Sequence, residues 1–224
     1  MIKAVIIDFD GVICDSNKVH VISWKHVFSE LGEPFDEEYY GYQLQGLNKI
    51  LGIKKILRDF NHEDEDLNQI VSLRDKKMDE LYKDINNFAL NQNILSFIDK
   101  NKRKDIKFIL YSGSSRVRKV LEMHDIQDKF YYVVDIKKEF KDKGEFTNYL
   151  KICDKFDVLP SECAGIDDSP IAISAMNKAG LVTIGIGKYT KNISDVNFER
   201  VELFNINNLN DIRSKKWKKE QILL

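Results

Sequence analysis

Cysteine is scarce in this chain: three residues in 224, at positions 14, 153 and 163, with no CxxC pair. An odd, widely spaced set is not a disulfide framework and is the usage of a reducing intracellular compartment. Charge of one sign is equally lacking. With 35 basic and 36 acidic residues the formal net charge is −1, so no global field favours nucleic acid or an anionic membrane surface. No apolar run approaches the ~20 residues needed to span a bilayer. The N-terminus has a single Lys3 and then a strand-like run ending in carboxylates, which is not the pattern of a signal peptide. Internal repeats and low-complexity tracts are missing too. These absences lead us to expect a soluble cytoplasmic monomer with no nucleic-acid or membrane partner. The one basic cluster, residues 213–219, reads as a solvated last helix and is weak evidence for a polyanion partner.

What is present is a set of short Ile/Val-rich runs at residues 4–7, 106–111, 131–134, 164–166 and 181–186. Amphipathic stretches separate them, such as Ile94-Leu95-Phe97-Ile98 and Tyr149-Leu150-Ile152-Cys153. Strand and helix in alternation predict a parallel sheet covered by helices on both faces. The interval after the first run is different. Residues 16–82 hold no strand pattern; Trp24, Val27, Phe28 and Leu31 fall at helical spacing before Gly32, and further helices are expected over residues 49–60 and 63–82. A second, helical domain inserted after the first strand follows from that pattern, with a core of residues 1–15 and 84–224 and an insertion of residues 16–83.

Polar residues collect where the predicted strands end, which is where ligands bind in such sheets. The first strand runs into Asp8-Phe9-Asp10-Gly11. A calcium loop beginning at Asp8 fails, because its fifth position is Val12 and its twelfth Val19. Ser112-Gly113-Ser114 follows the second strand and offers a hydroxyl and free N–H groups to oxyanions. Gly165-Ile166-Asp167-Asp168-Ser169-Pro170 closes the fourth, with Pro170 suited to a helix first turn. Each of these, like Lys143 before a helix, has an ordinary structural explanation alone. Together they describe a cation site beside an oxyanion site. Oxygen donors without His or Cys suit Mg²⁺. A carboxylate approaching a phosphate dianion meets repulsion of about 4 kcal/mol per charge pair near 4 Å at an effective dielectric of ~20, which a metal and a lysine offset. Cys14, near the site but without a base, reads as a buried inert thiol, and Gly185-Ile186-Gly187 as a strand-end turn.

In their order, Asp8-Phe9-Asp10-Gly11-Val12, Ser112, Lys143 and Gly165-Ile166-Asp167-Asp168-Ser169 resemble the haloacid dehalogenase superfamily of phosphotransferases. His20, Trp24-Lys25, Gln43-Leu44-Gln45-Gly46 and Ile184-Gly185-Ile186-Gly187 echo its β-phosphoglucomutases and related sugar-phosphate phosphatases. The resemblance implies a Rossmann-like, doubly wound α/β core with a small helical cap. It implies Asp8 as nucleophile forming an aspartyl-phosphate, and Asp10 as general acid and then base, in hydrogen-bond contact with His20 when the cap closes. Ser112 and Lys143 would hold the phosphoryl oxygens, and Mg²⁺ would be bound by Asp8, the Asp10 carbonyl, Asp167 and Asp168. Lys143 is followed by Gly144-Glu145 where the family has proline.

The substrate expected is a small phosphorylated metabolite bound by Trp24, Gln45, Gly46, Lys49, Lys77, Gly113, Ser114 and Arg116. The mutase pattern has a lysine before the cap glycine and an arginine three residues after it, whereas this chain has Gln45 and Lys49. Lysine does not reproduce arginine's fork. Arg116, Lys76 or Lys77 could compensate in part. Hydrolysis of a sugar or metabolite phosphate is therefore ranked above the mutase reaction. A phospho-accepting signalling switch is the remote alternative, since such receivers carry their acceptor aspartate on the third strand.

Overall fold

The computed structural model describes residues 1–102, 104–134, 139–140, 142–206 and 209. The basic cluster at 213–219 lies outside them. Six parallel strands form the sheet, in the order β5-β4-β1-β6-β7-β8. They are β1 (Ala4–Ile7), β4 (Lys107–Leu110), β5 (Tyr132–Val133), β6 (Cys163–Asp167), β7 (Val182–Ile186) and β8 (Val196–Phe198). The first five coincide with the predicted runs. β8, which the pattern did not mark, is a half-buried three-residue edge strand, Val-Asn-Phe. β1 occupies the centre, paired with β4 on one side and β6 on the other.

Alternation decides what each face buries. Val5 and Ile7 of β1 join Phe108 and Leu110 in one apolar cluster, beneath α5 (Gln92–Lys102) and α6 (Val117–Met123). Ala4, Ile6, Ile109 and Tyr111 point the other way, against α7 (Phe146–Lys155) and α8 (Pro170–Lys178). With apolar side chains on both faces, the strands read as near-continuous hydrophobic runs.

The insertion leaves and re-enters the core through a two-residue antiparallel ribbon, β2 (Cys14–Asp15) with β3 (Ala89–Leu90). Between them lie α1 (Asn17–Glu30), α2 (Glu37–Tyr39) running into a π-helical turn at Tyr40–Leu44, α3 (Lys49–Asp59) and α4 (Leu67–Leu81). Gly32 ends α1 as expected, with Glu33 N donating to Phe28 O at 2.9 Å. α4 starts four residues later than the spacing predicted, because Asp66 caps it by accepting from Asn68 N at 2.8 Å. Trp24, Val27, Phe28, Ile53, Ile56 and Ile70 form a separate apolar cluster within these helices. The cap thus has a core of its own. It also touches the sheet domain: Tyr42 packs edge-on against Tyr189, whose hydroxyl donates to Glu37 O at 3.0 Å, and Lys188 pairs with Glu38.

Candidate active site

The chain turns sharply where β1 ends. Asp8 N still donates to Ile166 O at 3.0 Å, so the first carboxylate is fixed to the ladder. The buried Phe9 then anchors the turn, its carbonyl accepting from Ile13 N and Cys14 N, each at 2.9 Å. Gly11 closes the loop against β6; a Cβ there would stand 1.9 Å from Asp168 Oδ2. This fold-back places Asp10 among three donors. Ser16 Oγ donates to its Oδ1 at 2.6 Å, His20 Nε2 lies 3.1 Å from the same oxygen, and Ser112 Oγ donates to Oδ2 at 3.2 Å. Burial pushes the Asp10 carboxyl up, but the His20 charge and these bonds outweigh it and bring the group down to about 2.

Asp8 has the opposite character. Its Oδ2 lies 2.9 Å from Lys143 Nζ, while its buried Oδ1 has no hydrogen-bond partner. Lys143 is 3% exposed and also lies 2.5 Å from Asp167 Oδ2. The Gly144-Glu145 departure therefore does not displace it. Tyr149 from α7 secures the turn by donating to Lys143 O at 3.0 Å. Asp168 accepts from Asn17 Nδ2 at 2.5 Å.

One oxygen from each of Asp8, Asp167 and Asp168 lies within 4.8 Å of the others. Burial holds Asp8 well above the carboxylate range, with its acidic neighbours adding to the effect that Lys143 opposes, and burial also raises Asp167. Asp168 is pushed up to about 7 by burial and by the Asp167 charge. Three crowded carboxylates, one with an orphaned buried oxygen, and an all-oxygen donor set fit a hard divalent cation such as Mg²⁺. Asp10 contributes no side chain to this group; its carboxylate oxygens face Ser16, His20 and Ser112.

A cavity of about 400 Å³ lies above these groups, roofed by the cap. Of the residues expected around a substrate, Trp24, Gln45, Gly46, Lys49, Gly113, Ser114 and Arg116 line it, with Asp8, Asp10, His20, Lys143 and Asp168. Ser112 is buried below, its Oγ accepting from Ser114 N at 3.0 Å. Asp167 is wholly buried behind Lys143. Lys77 is a correction: it does not line the cavity and pairs with Glu80 at 3.0 Å on the outer side of α4. The cap-loop lysine and the one compensating cation that lines the cavity are already engaged. Lys49 pairs with Asp75, and Arg116 reaches Asp79 at 2.8 Å and Asp75 at 3.4 Å. Sequence reasoning missed Asn17, Tyr40 and Arg74. Arg74 had a signal, since Ile70, Arg74 and Met78 recur every four residues on the buried stripe of α4.

Carboxylates, lysine and hydroxyl converging at the ends of β1, β4 and β6 under a helical cap are the equipment of an enzyme that transfers phosphoryl groups, as a phosphatase or phosphotransferase. The chain belongs to the haloacid dehalogenase-like hydrolase family, whose model matches residues 2–180. It is 28% identical over 190 residues to the β-phosphoglucomutase of Bacillus subtilis, covering 83% of this chain and 84% of that one. It is 22% identical over 187 residues to a phosphorylated carbohydrates phosphatase of Thermotoga maritima, covering 81% and 83%. Among solved structures, a β-phosphoglucomutase from Clostridium difficile superposes with a TM-score of 0.79 at 24% identity over the whole of both chains. CbbY from Rhodobacter sphaeroides follows at 0.72 and 21%, covering 95% of this chain and 99% of that one.

Proposed function

We propose that the protein catalyses Mg²⁺-dependent hydrolysis of a small sugar or metabolite phosphomonoester through an aspartyl-phosphate on Asp8. The observation that carries the reading is the contrast between two carboxylates two residues apart. Asp8 offers an unpartnered oxygen beside a lysine, and Asp10 is held by three polar side chains. Environments that push two carboxyl groups apart in acidity assign them different roles.

Asp8, steadied by Lys143, attacks phosphorus, and the ester P–O bond breaks as the acyl phosphate forms. Asp10 protonates the departing oxygen. It is ionised in the ligand-free site, and the negative charge of an arriving phosphoryl group raises its proton affinity. It then takes a proton from the water that attacks the acyl phosphate, releasing inorganic phosphate and restoring Asp8. Ser112 and the Gly113-Ser114 backbone meet the phosphoryl oxygens, and His20 and Ser16 orient Asp10. Asp8, Asp167 and Asp168 would hold Mg²⁺, which neutralises the charge that builds up between nucleophile and phosphate. The cap, residues 16–83, opens to admit substrate and closes to exclude bulk water.

The relatives bring a second reading, a β-phosphoglucomutase-type transfer in which a sugar phosphate replaces water as acceptor. Against it stands the engagement of Lys49 and Arg116 with Asp75 and Asp79, which removes two cations that would grip the second phosphate. The test is phosphate release from a panel of phosphomonoesters with Mg²⁺, alongside phosphorus NMR of β-glucose 1-phosphate with a trace of the 1,6-bisphosphate. Hydrolysis predicts inorganic phosphate; conversion to glucose 6-phosphate without it would reverse the ranking. Asp8→Asn should fold and lose turnover, and retention of even a tenth of wild-type activity would refute the nucleophile.

A further inference from the structure

Gly41 lies inside the π-helical turn Tyr40–Leu44, without the left-handed backbone that Gly46 adopts. A glycine within a helix forfeits stability that alanine would supply. A close approach accounts for it: a Cβ on residue 41 would stand 2.0 Å from Cζ of Tyr189 and 2.2 Å from its Cε2. Tyr189 comes from the sheet domain and fills the notch that the missing side chain leaves. Its hydroxyl donates to Glu37 O at 3.0 Å, just ahead of the turn, and the Tyr42 ring meets it edge-on with centroids 4.8 Å apart.

The loop that carries Tyr189 is braced from within. Gly187 N donates to Phe198 O at 2.8 Å, Asn197 Nδ2 to Gly187 O at 3.1 Å, and the buried Thr190 Oγ1 to Asn197 Oδ1 at 2.7 Å. A ring on such a platform presents a fixed surface to the cap. On the cap side, the turn it meets leads straight to the site. Gln45 N donates to Tyr40 O at 2.9 Å, closing the turn, and the next contacts are those of Gln45 O with Ser169 Oγ at 2.8 Å and Gln45 Nε2 with Asp168 O at 3.3 Å. Tyr40, Leu44, Gln45 and Gly46 all line the cavity, whereas Tyr189 does not. π-helical turns recur at functional sites.

We propose that Tyr189 is a positioning residue for phosphoryl transfer. Lodged in the notch at Gly41, it seats the Tyr40–Leu44 turn on the sheet domain and so holds the Gln45-Gly46 turn against Asp168 and Ser169. This role rests on the phosphoryl-transfer reading above and acts from outside the cavity, through the cap segment that forms part of its wall. Glycine at 41 is the cap's half of the same contact, a local loss of helix stability that makes room for the ring.

The test is a double-mutant cycle between the two halves of the contact, read as kcat/KM for phosphate release with Mg²⁺ and as thermal melts. Tyr189→Ala should lower kcat/KM about tenfold, and Tyr189→Phe, which keeps the ring in the notch, should recover it to within about threefold of wild type. Gly41→Ala should lower kcat/KM about fivefold or more while its melting temperature holds or rises, because alanine favours the helix and only the seat is lost. A merely structural role predicts no such opposition between activity and stability. In the Tyr189→Ala background the notch is empty, so adding Gly41→Ala should cost less than about twofold further. Hydrogen exchange of residues 41–47 in the ligand-free protein needs no turnover, and Tyr189→Ala should speed it about fivefold or more. If wild type releases phosphate from no phosphomonoester while exchange responds in this way, the hydrolase reading fails and the seating of the turn by Tyr189 stands. Unchanged exchange, Tyr189→Ala activity within twofold of wild type, a Phe variant as impaired as the Ala variant, or additive effects in the cycle would overturn the proposal. Should Tyr189→Ala melt below assay temperature, Gly41→Ala decides alone: unchanged kcat/KM overturns the assignment, and a loss at undiminished melting temperature supports it.

Discussion

Gly46 offers a way to separate closure of the cap from its folding. Residues Leu44 to Leu47 form a tight turn in which Leu47 N donates to Leu44 O at 3.0 Å, with Gln45 extended and Gly46 at φ +87°. That conformation is the type II turn, whose third position favours glycine. The turn rests on the sheet domain: Ser169 Oγ donates to Gln45 O at 2.8 Å and Gln45 Nε2 to Asp168 O at 3.3 Å. A Cβ on residue 46 would stand 2.0 Å from Ser169 Oγ. In Gly46→Ala the backbone cost of about 1 kcal/mol applies whether the cap is open or closed. The clash applies only to the closed form. Relieving it needs a shift of more than an ångström, which breaks both hydrogen bonds at about 1 kcal/mol each. Closure is then weakened by about 2 kcal/mol, or roughly thirtyfold in kcat/KM, while the melting temperature falls by only about 2–4 °C. Steady-state phosphate release and a thermal melt on the same preparation read the two numbers. Activity within twofold of wild type would show that this contact does not gate the site. A large loss of stability would show that the turn belongs to the folding of the cap.

The raised acidity constants of the cluster bear on metal binding. Since Asp168 is pushed up to about 7 and Asp8 and Asp167 are raised as well, protons compete with the cation below neutral pH. Apparent Mg²⁺ affinity should rise with pH, changing by up to about tenfold per unit for each proton displaced. Calorimetric titrations at several pH values check this, and a flat profile would refute it. Chelation should abolish activity and Mg²⁺ restore it. Asn17→Ala removes the donor that fixes Asp168 and should weaken Mg²⁺ binding about 10–100-fold with the fold intact; unchanged affinity would mean that Asn17 only fastens the cap.

Most of the core was legible because burial on both faces makes parallel strands into uniform Ile/Val runs, and because a charged residue ending such a run is conspicuous. Asp8, Asp10, Ser112, Lys143, Asp167 and Asp168 all come together as their positions at strand ends implied. What escaped has physical reasons. β2 and β3 pair two residues each across some seventy residues of chain, and no local pattern encodes so remote a pairing. β8 interrupts its apolar residues with Asn197 and lies at the edge. Arg74 was passed over in favour of Lys76 and Lys77, because a charge on a helix is first read as solvated. Its place on the Ile70–Met78 stripe marks it as buried.

The β2–β3 ribbon makes the insertion, in polymer terms, a loop already closed. Asp15 and Ala89 face each other across an antiparallel pair, where Cα atoms lie about 5 Å apart. The sheet therefore holds those two ends together whatever lies between them. Loop-closure entropy grows only with the logarithm of length, so a shorter, longer or differently folded insert could be grafted at the same two residues without altering the register of β1. The chemistry imposes a limit that the topology does not. Ser16, Asn17 and His20 stand just inside the splice point, and a transplanted cap would have to bring its own groups for holding Asp10 and Asp168.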